Sequence, residues 1–267
     1  MSYGNYSHVE NGRRTKLSEP SQLTSDANLW TPTSDQKRML GAEFSTDDGR
    51  TFRYCKNGST EIAKNLMIQS EAIDAQAIDI VQTGKSAAAG DIILNLLITT
   101  GNGLADGDLV DGWIIINQGT AATDEGDMYV VKSNKYTTSD TAIRIEIADA
   151  GGVRNAISAT SNITFVKNVY RDVIVKPTTL TGVMLGATTT IVTASYYFWA
   201  QTRGVASVLI DTGDTVVVGE PLGHLDTSGS AGSLGLVAAV NTDYVVGTAI
   251  SAAAGADYGI VLLNNLP

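Results

Sequence analysis

Histidine and cysteine carry much of the nucleophilic and metal chemistry of proteins, and this sequence contains few of them. Its 267 residues include two histidines, His8 and His224, and one cysteine, Cys55. A Ser-His-Asp or Cys-His enzyme needs a preorganised imidazole, and a zinc site needs several such ligands close together. His8 lies in an irregular leading segment and His224 follows a predicted strand. The sequence therefore predicts neither a catalytic histidine nor a zinc site.

Carboxylates are better supplied and form two groups in glycine-containing turns. The groups are Asp106, Asp108 and Asp111, and Asp124, Glu125 and Asp127. Oxygen ligands of this kind suit calcium, but the EF-hand spacing is broken because Val110 occupies a ligand position. Solvated acidic turns are our prediction, and a calcium site is the alternative that stays open.

Motifs for phosphates and cofactors are also missing. Gly101-Asn102-Gly103 lacks the third glycine of the dinucleotide motif, and the sequence has no Walker lysine motif. A glycosidase needs two carboxylates about 5 to 10 Å apart across a cleft, and the spacing along the chain identifies no such pair. We predict a protein that is not an enzyme and that binds no cofactor.

The charge balance bears on the class of partner. Lys and Arg number 18 against 28 Asp and Glu, which gives a formal net charge of -10. Binding to a phosphate backbone requires a basic surface, so we expect no nucleic-acid partner. The longest apolar run, at residues 92–98, is far shorter than a membrane span, and the first residues do not resemble a secretion signal. We expect a soluble protein made in a reducing cytoplasm.

Most of the sequence after residue 41 has the pattern of short strands. Ile143-Arg144-Ile145-Glu146-Ile147 alternates without interruption, so its three isoleucines are expected to face a core. Other β-branched runs recur roughly every 8 to 15 residues between Gly, Asp, Asn and Ser. The sequence predicts an all-β fold of short-stranded β-barrel or sandwich modules. The segment 61–81 fits either a helix or two strands, and this alternative stays open.

The pattern divides the chain into three parts. Residues 1–41 are predicted to form an extended N-terminal arm, and residues 42–190 a β-rich body. Within the body, residues 70–190 form a long Thr-rich stretch. Residues 191–267, which contain one basic side chain, Arg203, are predicted to form a C-terminal β-barrel module.

The arm combines irregular sequence with isolated large side chains. Disordered linkers are poor in such groups, whereas an extended segment that lies on a neighbouring surface needs them as anchors. One interpretation places the anchors on a partner, and the other places them on the chain's own body. The predicted partner-binding residues are Tyr3, Tyr6, Arg13, Arg14, Leu17, Leu29 and Trp30.

The densest aromatic run is Tyr196-Tyr197-Phe198-Trp199. In a strand, Tyr197 and Trp199 share one face, so we predict a core or subunit contact for these side chains rather than sugar stacking. Tyr197 and Trp199 are the predicted self-association residues.

Several segments together resemble the capsid decoration, or cement, proteins of tailed bacteriophages. They are the Ser/Asn-rich leading arm, Leu40-Gly41-Ala42-Glu43-Phe44, Asp48-Gly49-Arg50-Thr51-Phe52-Arg53-Tyr54-Cys55-Lys56-Asn57-Gly58, the glycine-rich run from Gly213 to Gly223, and Gly259-Ile260-Val261-Leu262. The Thr-rich middle, at about 70–190, exceeds what the compact members of that family carry, which implies an inserted outer β domain.

The resemblance implies a β-barrel protein on the outside of an icosahedral head, often a trimer, that clamps neighbouring capsid subunits through extended arms. The expected partners are the major capsid protein and further copies of the chain, with a trimer favoured. The expected location is the virion exterior, after synthesis in the host cytoplasm. The alternative function is that of an adhesin or tail-spike-like protein that binds host glycans.

Overall fold

The structure, a computed structural model, confirms the all-β prediction. It describes residues 7–10, 13–16, 29–99, 104–118, 125–137, 141–224, 230–237, 244–264 and 266–267. Strands make up 45% of the chain, arranged as a half-barrel sheet and a nearly closed barrel-like sheet. Within these residues the helical structure is a single 3-10 turn at Ala75–Ala77, and no helix is long and apolar enough to cross a membrane.

Most strands have two to six residues, and the two longer ones are β9, with 10 residues, and β14, with 13. In chain order they are β1 Ser7–Glu10, β2 Arg13–Lys16, β3 Glu43–Ser45, β4 Thr51–Lys56, β5 Met67–Gln69, β6 Ile80–Val81, β7 Ile93–Leu97, β8 Trp113–Gln118, β9 Met128–Thr137, β10 Ala142–Ile147, β11 Asn162–Val166, β12 Ile174–Val175, β13 Met184–Ala187, β14 Tyr197–Leu209, β15 Thr215–Val216, β16 Pro221–His224, β17 Gly235–Leu236, β18 Tyr244–Ala249, β19 Ala253–Ala254 and β20 Tyr258–Leu263.

The chain divides into two compact units. Unit 1 combines Met1–Ser70 with Asp172–Pro267, and unit 2 is the continuous segment Glu71–Arg171. Unit 2 therefore ends earlier than the predicted insertion at about 70–190. The segment 61–81, left open above, holds strands β5 and β6 and the 3-10 turn.

Unit 2 is built on one antiparallel sheet of six strands, in the order β6-β11-β8-β9-β10-β7. The alternation of β10 has the predicted result, because Ile143, Ile145 and Ile147 are each at most 1% exposed while the residues between them reach the surface. The three isoleucines join a core that includes Leu96 and Phe165. Burial of these apolar side chains is the main source of stability for such a sheet.

A buried glutamine joins the two edges of this sheet. Gln82 directly follows edge strand β6 and is 0% exposed. Its Oε1 accepts the backbone N–H of Leu97, on the other edge strand β7, at 2.7 Å, and its Nε2 donates to the Leu97 carbonyl at 3.3 Å. The side-chain amide thus takes the place of a neighbouring strand and satisfies backbone groups that burial would otherwise leave unpaired.

Unit 1 is organised around β14. The first part of this strand pairs with β4, from Tyr197↔Lys56 to Arg203↔Thr51, and its last six residues pair with β20. The partner changes at Gly204, whose φ is +86° and whose added Cβ would lie 2.9 Å from the backbone of Arg50. Glycine is the residue that adopts this φ without strain.

The C-terminal strands of unit 1 form a ring. The pairs β14-β20, β20-β18, β18-β16 and β16-β17 run in sequence. The chain next to β17 returns to the end of β14, since the Leu234 N–H donates to Leu209 and the Asp211 N–H donates to Leu234, both at 2.9 Å. Val208, Val261 and other apolar side chains fill the core. This ring lies inside the predicted C-terminal module, but β14 extends that module into the sheet formed by β3, β4, β5 and β13.

We predict that Gln82→Leu exposes the edge of the unit 2 sheet. The apolar side chain leaves the Leu97 N–H and carbonyl without their partners, at a cost of about 1 to 3 kcal/mol. Hydrogen exchange at the Leu97 amide is expected to speed up by roughly ten- to a hundredfold. The matched control is Gln118→Leu, at an exposed glutamine of the same sheet. Equal protection of Leu97 in the two variants would contradict the bridging role.

Candidate functional site

The last part of the predicted arm, from Thr33 to Leu40, is attached to unit 1. Thr33 pairs with Tyr197 of β14 through two backbone hydrogen bonds of 2.9 and 2.8 Å. The Lys37 N–H donates to the Tyr54 hydroxyl at 2.9 Å, and Leu40 is only 4% exposed. The part of the predicted arm from Thr33 onward therefore lies on the chain's own body, which was the second interpretation of this segment.

Trp30 stands at the start of this attached segment. Its ring meets Phe52 edge-on, with centroids 6.3 Å apart, and the Arg50 guanidinium carbon lies 5.5 Å from the Trp30 centroid and 5.7 Å from that of Phe52. We call these three residues the Trp30 cluster. Trp30 remains 46% exposed, so about half of its indole faces solvent. The neighbouring Arg50 is partly buried and also forms an ion pair with Asp48 at 2.8 Å. Trp and Arg are the side chains most enriched where proteins bind each other tightly.

The remaining predicted arm residues are placed only in part. Tyr3, Tyr6 and Leu17 lie outside the described residues. Arg13 and Arg14 lie in β2, which pairs with β1 in a separate two-stranded sheet. Leu29 is half-buried next to Trp30. Of the seven predicted residues, the structure thus places only Leu29 and Trp30 together on a described surface.

Trp199 is a core residue. It is 3% exposed and its ring lies between Phe44 and Tyr54, with centroids 6.0 and 5.1 Å away. Almost none of its surface is left for a second copy or for a sugar ring, so we correct its assignment as a self-association residue. Tyr197 stacks on Tyr54 at 6.0 Å and stays partly exposed, and its contact with a second copy remains a prediction.

A different surface of unit 1 has the properties of a binding surface. On the outer side of the ring, Val205 of β14 lies opposite Leu262 of β20, and the Ile250 N–H donates to the Ile260 carbonyl. The large side chains on this side are Val205 at 51%, Tyr258 at 51%, Ile260 at 44%, Leu262 at 43% and Ile250 at 42% exposed. We call these five residues the apolar face. Contiguous exposed apolar patches usually mark sites of protein interaction.

The sequence held a signal for this face that strand alternation did not reveal. Exposed and buried residues alternate along β20. Val261 and Leu263 are buried, yet the exposed Ile260 and Leu262 are just as apolar. Strands that are apolar on both sides are typical of sheets covered on both sides. The run Gly259-Ile260-Val261-Leu262-Leu263 therefore indicated a covered strand.

The side chains best suited to reaction chemistry lie inside unit 1. Cys55 is 0% exposed and burial raises the pKa of its thiol far above the ordinary range, which leaves it unreactive. His224 is 3% exposed, and its Nδ1 lies 3.4 Å from the Nζ of Lys176, itself 1% exposed. Burial lowers the pKa of Lys176, and the charge of Asp211 partly opposes this. These groups are placed for packing rather than for contact with a substrate.

Asp211 lies where the ring closes, and its charge acts on the buried Lys176. Burial raises the pKa of its carboxyl, but backbone donors at Ser230 and Gly213 and the Ser233 hydroxyl outweigh that effect and hold the pKa below its ordinary value. The Gly213 N–H donates at 3.1 Å and the Ser233 hydroxyl at 3.0 Å. A carboxylate with this many donors is a structural anchor for the loop that precedes β17.

The acidic turns of unit 2 are occupied by donors of their own chain. Asp106 accepts the Tyr136 N–H at 2.9 Å and Asp108 accepts the Ala105 N–H at 2.9 Å. Asp127 accepts from the Tyr129 hydroxyl and from Arg154, while Asp124 lies outside the described residues. In the part of the chain that the structure describes, no group of three or more His, Cys, Asp or Glu side chains is placed to hold a metal ion.

No family model, curated protein or solved structure matches this chain. The surfaces described above are therefore the basis on which a function can be assigned.

We predict that Lys176→Met changes how the stability of unit 1 depends on pH. Because burial lowers the pKa of Lys176, the unfolded chain binds more protons than the folded chain between that lowered pKa and the ordinary value of 10.5. The free energy of unfolding of the wild type therefore rises with pH across this window. The variant lacks this ionisation. Near neutral pH its free energy of unfolding is expected to exceed that of the wild type by about 1 to 3 kcal/mol. This difference should shrink as the pH rises toward 10.5.

The free energy of unfolding is measured by urea titration at neutral and at alkaline pH. Amide exchange in β14 then shows that the change belongs to unit 1. Lys64→Met is the matched control, because Lys64 is an exposed lysine of the same unit. If both variants differ from the wild type by the same amount at every pH, the buried ammonium is not the cause.

Proposed function

We propose that this chain is a structural protein that attaches to the outside of a phage capsid and holds neighbouring capsid subunits together, with the major capsid protein as its partner. The observation that carries the proposal is the half-exposed indole of Trp30, which packs against Phe52 and Arg50 at the start of the attached leading segment. The proposed location is the virion exterior, after synthesis in the host cytoplasm.

The attachment of the leading segment suits a clamp. An arm that holds a partner must be fixed to its own body, and the backbone pair of Thr33 with Tyr197 and the burial of Leu40 provide that fixation. The contact with the partner then falls on Leu29, Trp30 and the residues before them. Extended segments bind a partner through a long path of contacts, and their anchors set the specificity.

The hairpin β1–β2 supports the same function. It forms a two-stranded sheet of its own, and a two-stranded hairpin is at best marginally stable in water. Addition to the edge of a partner's sheet would stabilise it, since every new strand pair satisfies backbone groups that water otherwise solvates. Arg13, Arg14 and Lys16 form a cluster of basic residues in β2, which favours an acidic surface on the partner.

We predict that deletion of residues 1–28 abolishes binding to undecorated phage heads. Those residues precede the attached segment, so the fold of unit 1 is expected to be unchanged. The measurement is co-sedimentation with heads, and the expected loss of occupancy is at least about tenfold. Urea unfolding of the truncated protein provides the control for folding. Unchanged occupancy on the heads would rule out the arm as the capsid contact.

We also predict that Trp30→Ala weakens head binding by about tenfold or more, as loss of a central aromatic anchor does at other interfaces. Because Trp30 is half exposed, the free energy of unfolding should fall by less than about 1 kcal/mol. The matched control is Met39→Ala, at a side chain of the same segment that is 61% exposed. Equal binding by the two variants would show that the Trp30 cluster makes no contact with the capsid.

A further inference from the structure

One buried asparagine of unit 1 stands in a sequence that favours a spontaneous covalent change. Asn57 directly follows β4 and precedes Gly58. Asparagine followed by glycine deamidates readily, because glycine has no side chain to hinder the approach of its backbone nitrogen to the asparagine amide. Asn57 is nevertheless only 1% exposed. The sequence thus supplies a reactive pair, and the fold determines when the pair can react.

The reaction replaces an amide by a carboxylate and consumes one water molecule. The backbone nitrogen of Gly58 attacks Cγ of Asn57, and its proton passes through water to the side-chain nitrogen, which leaves as ammonia. The product is a five-membered cyclic imide. Water then adds to one of the two imide carbonyl carbons and breaks its bond to nitrogen. Opening at one carbon gives aspartate, and opening at the other gives isoaspartate, which lengthens the main chain by one carbon.

The backbone around this pair is held by hydrogen bonds that ring closure must break. The Gly58 N–H, which belongs to the attacking nitrogen, donates to the Val173 carbonyl at 2.9 Å. The Asn57 N–H donates to the Tyr196 carbonyl at 2.8 Å, and the Gly58 carbonyl accepts the Ser195 N–H at 2.7 Å. Attack requires rotation about the backbone bond that joins the carbonyl carbon of Asn57 to its Cα. In the folded chain this rotation would leave buried backbone groups without partners.

The side-chain amide of Asn57 is held as firmly. Its Nδ2 shares its hydrogens among the carbonyl oxygens of Thr60, Val192 and Thr193, at 2.9, 3.0 and 3.0 Å. The last two carbonyls belong to the segment that leads into β14. Asn57 therefore joins the end of β4 to the start of the strand on which unit 1 is organised.

The product of deamidation does not fit this position. In the part of the chain that the structure describes, Oδ1 of Asn57 has no donor. The oxygen that replaces Nδ2 would face three carbonyl oxygens. A carboxylate here would therefore be a buried charge without donors, which is far more costly than a buried neutral amide. Isoaspartate would in addition displace Gly58 from Val173.

We propose that Asn57 is a modification site that reacts with water only when unit 1 opens, and that its deamidation prevents unit 1 from closing again. An opening that is reversible at first then becomes permanent, because the unfolded state is chemically changed before it refolds. This property belongs to the isolated chain and does not depend on the capsid role proposed above.

The first experiment measures conversion at Asn57 by peptide mass spectrometry, in native buffer and in urea at the same pH and temperature. Conversion should be at least about a hundredfold slower in native buffer, since it proceeds only through the small open fraction. The pairs Asn11-Gly12 and Asn102-Gly103 provide the control, because all three pairs should react at similar rates in urea. Equal rates at Asn57 in the two solutions would overturn the proposal.

The second experiment asks whether conversion at Asn57 is what prevents refolding. Protein held in urea is diluted at intervals, and the yield of refolded chain is expected to fall in step with conversion at Asn57. Gly58→Ala hinders the attack, so it should keep its yield after an incubation that abolishes that of the wild type. Gly103→Ala is the matched control and should lose its yield as the wild type does. A yield that stays constant while Asn57 is converted, or equal protection by the two variants, would overturn the proposal.

A third measurement does not depend on how Gly58→Ala folds. Asn57→Asp introduces one product directly, and the full chain is expected to lose amide-exchange protection in β14 at neutral pH. The matched control is Asn264→Asp, at an exposed asparagine of the same unit, which should keep wild-type protection. Wild-type protection in Asn57→Asp would show that the site tolerates the carboxylate and would overturn the proposal.

Discussion

The backbone pairing of β14 is the constraint on which unit 1 depends. This strand is long enough to pair with two different strands, with β4 along its first part and with β20 along its second part. Gly204 permits the change of partner because a side chain there would collide with the backbone of Arg50. The leading segment also pairs with the start of β14 at Thr33. A single strand thus joins the attachment of the arm, the aromatic core and the C-terminal ring.

Buried polar side chains complete the sheets where backbone pairing ends. In unit 2, Gln82 bridges the edge strands with both ends of its amide. In unit 1, Asp211 holds the loop that returns Leu234 to the end of β14, and Lys176 and His224 are buried in the same region. Each of these groups is costly to bury alone. Gln82 and Asp211 offset that cost by bonding backbone groups that the short strands leave without a strand partner.

The two candidate surfaces differ in their chemistry. The Trp30 cluster combines a half-exposed indole with the guanidinium of Arg50, whereas the apolar face presents large aliphatic and aromatic side chains. They also lie on separate elements, since Trp30 and Arg50 belong to the leading part of unit 1 and the apolar face belongs to β14, β20 and the residue after β18.

The sequence by itself determined the all-β class, the strand at Ile143 to Ile147 and the frequent turns. Alternation of apolar and polar residues and the placement of glycine are local features, so they can be read without knowing which segments pair. The predicted insertion at about 70–190 overlaps the second compact unit, Glu71–Arg171. Only the tertiary structure decided that Trp199 is buried between Phe44 and Tyr54, that Gln82 bridges two edges and that β20 has an uncovered apolar side. Those outcomes depend on which distant segments pair, and a strand's own residues specify two faces without specifying what lies against each of them.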